Sequence, residues 1–566
     1  MEYTVFLIVL VAFVAIFFAD GVFRNKRNRE KLVVVLKEKF GQDSTRTFNT
    51  GELEIISDYY NNQIKDDKVL NNCIDDITWN DFSMDDVFAK IDRCQSRVGE
   101  EQLYALLHFP KLKEDKESEH IKLLRDYFSD SEEERVRVQV LLHELNLNKN
   151  VSLTKILSYL TELNPESNVK HFVAGGIMLI SIILIFLYPA IGVISCIAAM
   201  VYSIFSYLSD KKEVEPFITT FNYIFRMVET VNKLEKENVP VLKEDIDFLK
   251  EEKKCFKNFE RNMVWISTGV SGMDNPMMLF VEYIKMIFHI DLIKFNSMLR
   301  IVKNSTDNIE NIRRTIGIID ASIAIADFKA GLEVSCEPVF TDDNQAVLHI
   351  EDCAHLLVHT RKVVTNSICT KGPVLITGSN ASGKSTFLKA VGIAALLAET
   401  IGVVPATSYE GSRFRIYSSM ALNDSIRNGE SYFIVEIKSI KRILDAAAGD
   451  DKILCFIDEV LRGTNTVERI AASTNILKSL SKDNIIAFAA THDIELTELL
   501  KDYYRNYHFE EEISEHDVKF NFMLKEGKAM SRNAIKLLNV MNYDKDIVTN
   551  SEKMVDDFAR TGVWSI

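Results

Sequence analysis

Hydrophobic and polar positions recur along this chain with several different periods, and each period predicts a different kind of element. Tyr3 to Ala19 is an apolar run, extended past Asp20 by Val22 and Phe23. It is close to the ~20 residues that a membrane-spanning helix needs. Arg24, Lys26, Arg27, Arg29 and Lys31 follow directly. A secretory signal peptide carries its charge before the apolar core and ends in a small-residue cleavage site; neither is present here, so the run reads as an anchor. Basic residues on its C-terminal side put the N-terminus outside and the remainder of the chain in the cytoplasm.

Residues 32 to 165 read as polar and mostly helical, with Leu103, Leu106 and Leu107 on one face of a helix stopped near Pro110. Phe172 to Leu208 then runs for 37 residues without one charged side chain, flanked by Lys170 and by Lys211 and Lys212. That is too long for one membrane span and right for two, with Tyr188-Pro189 as the break and lysines at both cytoplasmic ends. From Phe217 the period changes. Phe217, Phe221, Ile224, Val228, Val231 and Leu234 recur at alternating spacings of four and three, predicting a long helix that packs along another and ends at Val239-Pro240. Helical patterns follow at Leu242 to Ile266 and Ile309 to Lys329.

The C-terminal third alternates apolar runs with helical patterns, as a mostly parallel α/β sheet does. Val374 to Ile376, Lys452 to Ile457 and Ile485 to Ala490 read as strands. Between the first of these and a helical pattern from Ser385 to Glu399 stands Gly378-Ser379-Asn380-Ala381-Ser382-Gly383-Lys384-Ser385, which fits G-x-x-x-x-G-K-[ST]. A phosphate needs this order: a strand to fix the loop, backbone N–H groups pointing inward, and a helix N-terminus for positive potential. Gly378 and Gly383 permit the turn and the close approach of backbone to phosphate.

The rest of the site follows from phosphate chemistry. A triphosphate calls for Mg²⁺, which takes oxygen ligands. Ser385 is placed to offer a hydroxyl, and Asp458, at a strand's end, a carboxylate. Glu459 is assigned to the attacking water, Lys384 to the phosphates, and His492, ending a neighbouring strand, to sensing the γ-phosphate or the water.

Composition narrows the reading without changing it. With 566 residues, 47% apolar and 26% charged, the chain has room for about three domains and is not disordered. A net charge of −15 opposes nonspecific binding to nucleic acid. The eight cysteines are scattered without C-x-x-C or Cys/His spacing, so they read as free thiols with no structural zinc.

Four motifs in order resemble the ATPase domain of the MutS family of DNA mismatch-repair proteins. They are the glycine loop through Thr386; Asp458-Glu459-Val460-Leu461-Arg462-Gly463-Thr464-Asn465-Thr466; Ala490-Thr491-His492-Asp493-Ile494-Glu495-Leu496; and Gly429-Glu430-Ser431-Tyr432-Phe433-Ile434-Val435-Glu436. The resemblance covers the last ~235 residues and extends weakly to Asp92–Pro110, similar to the opening of the family's helical core, and to Ile316–Ala330, similar to the helix returning from its lever arm. It implies an α/β P-loop ATPase that works as a homodimer with composite sites, closing on ATP and opening on hydrolysis while helical arms move. Ser431 would reach the partner's γ-phosphate, and Asn380 would contact phosphates from its own loop. Near Asn366, the family's adenine-stacking aromatic stands as Val363, and Leu461 and Asn465 replace a glycine and a serine. No counterpart of the mismatch-reading domain is expected, since only about 50 residues separate the first membrane helix from the core-like segment.

The expected organisation is an N-terminal membrane helix (1–23), a juxtamembrane segment (24–70), a helical core-like domain (71–170), a membrane hairpin (171–209), the rest of the helical core and lever (210–332), and the ATPase domain with a C-terminal dimerisation segment (333–566). The expected function is a multi-pass, membrane-anchored ATPase with its ATPase domain in the cytoplasm, acting on or near DNA. The alternative is a membrane switch or remodelling protein with no DNA role. An ABC-type transporter half is disfavoured because L-S-G-G-Q is missing, and a scaffold without turnover because Lys384, Asp458 and Glu459 are all present.

Overall fold

The structure, a computed structural model, describes residues 23, 26–44, 46–65, 70, 72–145, 152–163, 167–260, 283–358, 363–379, 382–420, 432–462, 464–513, 518–528, 535, 538, 541 and 543–564. The expected membrane helix at Tyr3–Ala19, and also Asn380, Ser431 and Gly463, lie outside the described residues.

The N-terminal half is helical. A short helix, α1 (Asp76–Asp81), starts where Asp75 accepts a hydrogen bond from the Thr78 N–H. Helix α2 (Arg97–His108) is likewise capped by Ser96, whose hydroxyl accepts from the Gly99 N–H, and it is buried along its whole length. Two further helices form the apolar hairpin. Helix α3 spans Val169–Leu187, and α4 spans Pro189–Glu237, with the break at Tyr188 and proline at the first helical position. Val169–Leu187 and the Pro189–Lys212 part of α4 are long and apolar enough to cross a membrane, with mean hydropathies of 2.2 and 2.0. Their large side chains face outward, Phe186 83%, Phe205 73% and Ile194 70% exposed, which is not how a core helix behaves.

Helix α4 does not stop at the end of the apolar stretch. It continues as one element of 49 residues to Glu237, where Asn238 leaves in the left-handed conformation, so the boundary expected at 209/210 falls inside a helix. The alternating positions Phe221, Ile224, Val228, Val231 and Leu234 are the buried face of its second half. Helix α5 (Ile290–Asn304) is fastened to the hairpin base by the Tyr207 hydroxyl, which donates to Asp291. Helix α6 (Thr306–Gly331) runs back along α2 into the core. At its centre Asp320 accepts from the Gln95 and Ser96 N–H groups, and burial pushes its carboxyl up to about 7.

The C-terminal third holds two sheets. The smaller contains β1 (Val339–Phe340), β2 (Leu348–Cys353), β3 (Asn366–Thr370) and β5 (Ser408–Gly411) in the order β1-β5-β2-β3. The larger contains β4 (Val374–Thr377), β6 (Arg415–Ser419), β7 (Ile453–Asp458), β8 (Ile485–Thr491), β9 (Arg505–Ile513) and β10 (Val518–Glu526), in the order β10-β9-β4-β8-β7-β6. All its pairings are parallel except β9 with β10. β4, β7 and β8 are buried at every residue, which is why they read as continuous apolar runs. Helix α7 (Lys384–Thr400) follows the glycine loop, α8 (Tyr432–Ala446) precedes β7, and α9 (Thr466–Ser479) links β7 to β8.

Candidate functional site

Strand register brings the predicted residues together. Thr377, the last residue of β4, pairs with Thr491, and Asp458, the last of β7, pairs with Ala490. The three strands therefore end level, and Gly378, Glu459 and His492 leave the sheet along one edge. Ligands of open parallel sheets bind outside the carboxyl ends of the strands.

The loop after β4 is held open by its glycines. Gly378 has φ +141° and Gly383 φ +107°. A Cβ on Gly378 would stand 2.8 Å from the Phe509 carbonyl oxygen. One on Gly383 would meet the Phe522 ring at 3.2 Å. Lys384 folds back over the loop, its Nζ donating to the carbonyls of Gly378 (2.8 Å) and Ser379 (2.9 Å). Burial pushes this lysine down to about 8, against the pull of Asp458 and Glu459. The Ser385 hydroxyl donates to Asp458 Oδ2. Thr386 lies in the first turn of α7.

Asp458 and Glu459 diverge, as neighbours at a strand end must. His492 Nε2 lies 2.8 Å from Glu459 Oε1 and 3.3 Å from Lys384 Nζ. The Arg462 Nε lies 2.5 Å from Glu459 Oε2. Burial alone would raise the Glu459 carboxyl, but the His492 hydrogen bond and the Arg462 guanidinium hold it below its ordinary value. Glu459 and Leu461 both sit in the left-handed region, at φ +58° and +59°. Such residues cost about 1–3 kcal/mol each and persist where their surroundings over-determine them. Here the Glu459 N–H donates to Ala490 O at 2.9 Å, Leu461 is buried among apolar neighbours, and Glu436 accepts from the Arg462 N–H.

The two departures from the resembled motif fit this geometry. Leu461 adopts the backbone conformation that a glycine there would adopt freely. Asn465 caps α9, its side chain accepting from the Glu468 N–H at 3.0 Å, a task serine performs equally well.

Asn366 is placed differently from the rest. It lies on β3 with its amide engaged by β10: Nδ2 donates to Phe522 O at 3.0 Å, and Oδ1 accepts from the Leu524 N–H at 2.7 Å. Together they hold a bulge at which Phe522 takes φ +54° and remains 42% exposed beside Gly383. Sequence reasoning missed Phe522. The signal was an aromatic pair, Phe520 and Phe522, on an edge strand, and only the pairing of β10 shows that it reaches the loop.

The site defines the class first: an open α/β sheet with a glycine loop, a buried lysine and a carboxylate pair at its ligand-binding edge, joined to a helical N-terminal region. Residues 374–559 match MutS domain V. The DNA mismatch repair protein MutS of Thermotoga maritima is 31% identical over 298 residues, covering 52% of this chain and 35% of that one. That of Natronomonas pharaonis is 29% identical over 272 residues, covering 46% and 31%. The protein of the same name from Thermosipho melanesiensis is 26% identical over 359 residues, covering 61% and 41%. The chain thus carries a MutS domain V in its C-terminal third, and its matches span only 31% to 41% of the length of these relatives.

Proposed function

We propose that this protein binds ATP with Mg²⁺ at the Gly378–Thr386 loop and hydrolyses it in a homodimer. We further propose that the α3–α4 hairpin holds it in a membrane and that it acts on or near DNA, as the names of its relatives suggest. One observation carries the reading: β4, β7 and β8 end within one residue of each other, so two hydrogen-bonded groups, Ser385 with Asp458 and Lys384 with His492 and Glu459, stand side by side at a glycine loop. Lys384 would exchange the loop carbonyls for β- and γ-phosphate oxygens. Ser385 and Asp458 would hold Mg²⁺, which would neutralise phosphate charge. The hard oxygen donors of this pair suit that ion. Glu459, kept ionised by His492 and Arg462, would orient and deprotonate the attacking water. Phe522 would be the aromatic platform for the base, in place of Val363. The roles of Asn380 and Ser431 stand as the family resemblance implies.

The membrane part rests on the exposed apolar surface of the hairpin. A reporter fused after Asp210 is expected on the cytoplasmic side and one at Pro189 outside; the reverse refutes it. The enzymatic part is tested on the detergent-solubilised chain. Wild type should release phosphate from ATP, and Glu459→Gln should bind ATP, lose roughly 100-fold or more of turnover and accumulate as a dimer. Turnover of Glu459→Gln at the wild-type rate would sink the assignment. DNA added at low salt should stimulate the ATPase. No binding at any salt favours an ATP-driven membrane switch instead, which the net charge of −15 also suits.

A further inference from the structure

Four elements that build the C-terminal site are touched by one short segment of the helical N-terminal region, Asp75–Phe82. Asp75 pairs with Arg442 on α8, whose guanidinium also donates to the Ser418 carbonyl on β6. The Thr78 hydroxyl accepts from the Ser418 N–H at 3.1 Å. Asp81, 3% exposed, accepts from the Ser418 hydroxyl at 2.6 Å and from the Met420 N–H at 2.9 Å. Phe82, fully buried, lies over Gly392 of α7, where a Cβ would meet its ring at 2.3 Å. The same ring stands edge-on to Phe456 of β7 at 5.5 Å.

From there aromatic packing continues beneath the glycine loop. Phe456 stacks on Phe488 of β8 at 5.4 Å, Phe488 meets Phe387 of α7 at 6.3 Å, and Phe387 meets Phe509 of β9 at 5.9 Å. Phe509 is the residue whose carbonyl closes over Gly378. Phe456 lies two positions before Asp458, and Phe387 three after Lys384. Displacing Phe82 would therefore move the supports of the lysine, of the carboxylate pair and of the loop together.

We propose that Asp81 and Phe82 are positioning residues for the C-terminal site, setting β6, β7 and α7 in the geometry that turnover needs and so tying turnover to the helical region. This rests on the ATPase reading above. Residues that hold supports affect the rate more than the binding, because a misplacement of about 1 Å at reacting groups costs roughly 100-fold in rate.

The test uses the full chain in detergent and four variants: Phe82→Ala, Phe82→Leu, Asp81→Ala and Asp81→Asn. For each, the ATP dissociation constant, kcat and melting temperature are measured. Phe82→Ala and Asp81→Ala are expected to lower kcat about tenfold or more with ATP affinity held within about threefold, and Phe82→Leu to recover most of the loss. Where an alanine variant does not fold, Asp81→Asn, which keeps the side chain's size and removes its charge, decides by whether kcat falls while affinity holds. Unchanged kcat overturns the proposal. So does a parallel loss of affinity, rate and melting temperature, which would mean that the contact only holds the fold. Failure of the wild type to bind ATP removes the ATPase reading and this inference with it; a working wild type with indifferent variants removes this inference alone.

Discussion

Raising the pH should weaken ATP binding through one side chain. Lys384 lies against the Gly378 and Ser379 carbonyls, and burial pushes its ammonium down to about 8 despite Asp458 and Glu459 nearby. A triphosphate binds the charged form. Because the folded value lies below the ordinary lysine range, the charge is present below about pH 8 and lost as pH rises through that value. At about pH 7 roughly nine-tenths of the lysines are charged and at about pH 9 roughly a tenth, so the ATP dissociation constant should rise about tenfold between them. The window lies above the second ionisation of a phosphate, so the nucleotide keeps its charge throughout. Calorimetric titration with excess Mg²⁺ across this range measures the slope, with Lys384→Met as the reference. That variant should bind more weakly and show no slope. A flat wild-type profile would refute the reasoning, as would a Lys384→Met profile that tracks the wild type.

Other expectations follow from particular contacts. Phe522→Ala should weaken ATP by about 1–3 kcal/mol, the usual worth of a base stacked on an aromatic ring, and leave inorganic tripolyphosphate unaffected in a competition assay. Gly392→Ala drives a methyl group into the Phe82 ring and should lower stability by about 1–3 kcal/mol in thermal unfolding. Asp458→Asn should raise the Mg²⁺ concentration needed for half-maximal ATPase activity, read in a magnesium titration; an unchanged midpoint would take the metal away from Asp458.

Much of the site was legible because it is built from local patterns. β4, β7 and β8 are buried on both faces, so their sequences are unbroken apolar runs, and the glycine loop is short and bounded by a strand and a helix. What remained hidden depends on pairings distant in sequence. Phe522 reaches the loop only because β10 pairs with β9, and Asn366 serves that bulge through contacts with the backbone of a strand far along the chain. The left-handed turn at Leu461 carries no glycine to announce it. Likewise, nothing in the sequence singles out Asp81 and Phe82 until β6 and α7 are seen beside them. The continuity of α4 was missed for a different reason. The sharp fall in hydropathy after Leu208 looks like a domain boundary, but composition can change along a helix without interrupting its hydrogen bonds.

That continuity has a mechanical consequence. At 1.5 Å per residue, 49 residues make a rod of about 74 Å, roughly half apolar and half packed against other helices of the N-terminal region. Pro216, just beyond the apolar half, has no N–H to donate to the carbonyl one turn earlier. With the apolar half seated in a bilayer, as proposed above, any tilt of the packed half would change the rod's angle to that bilayer. A hairpin so seated would pass such a tilt to the lipid surface, or feel the surface push back.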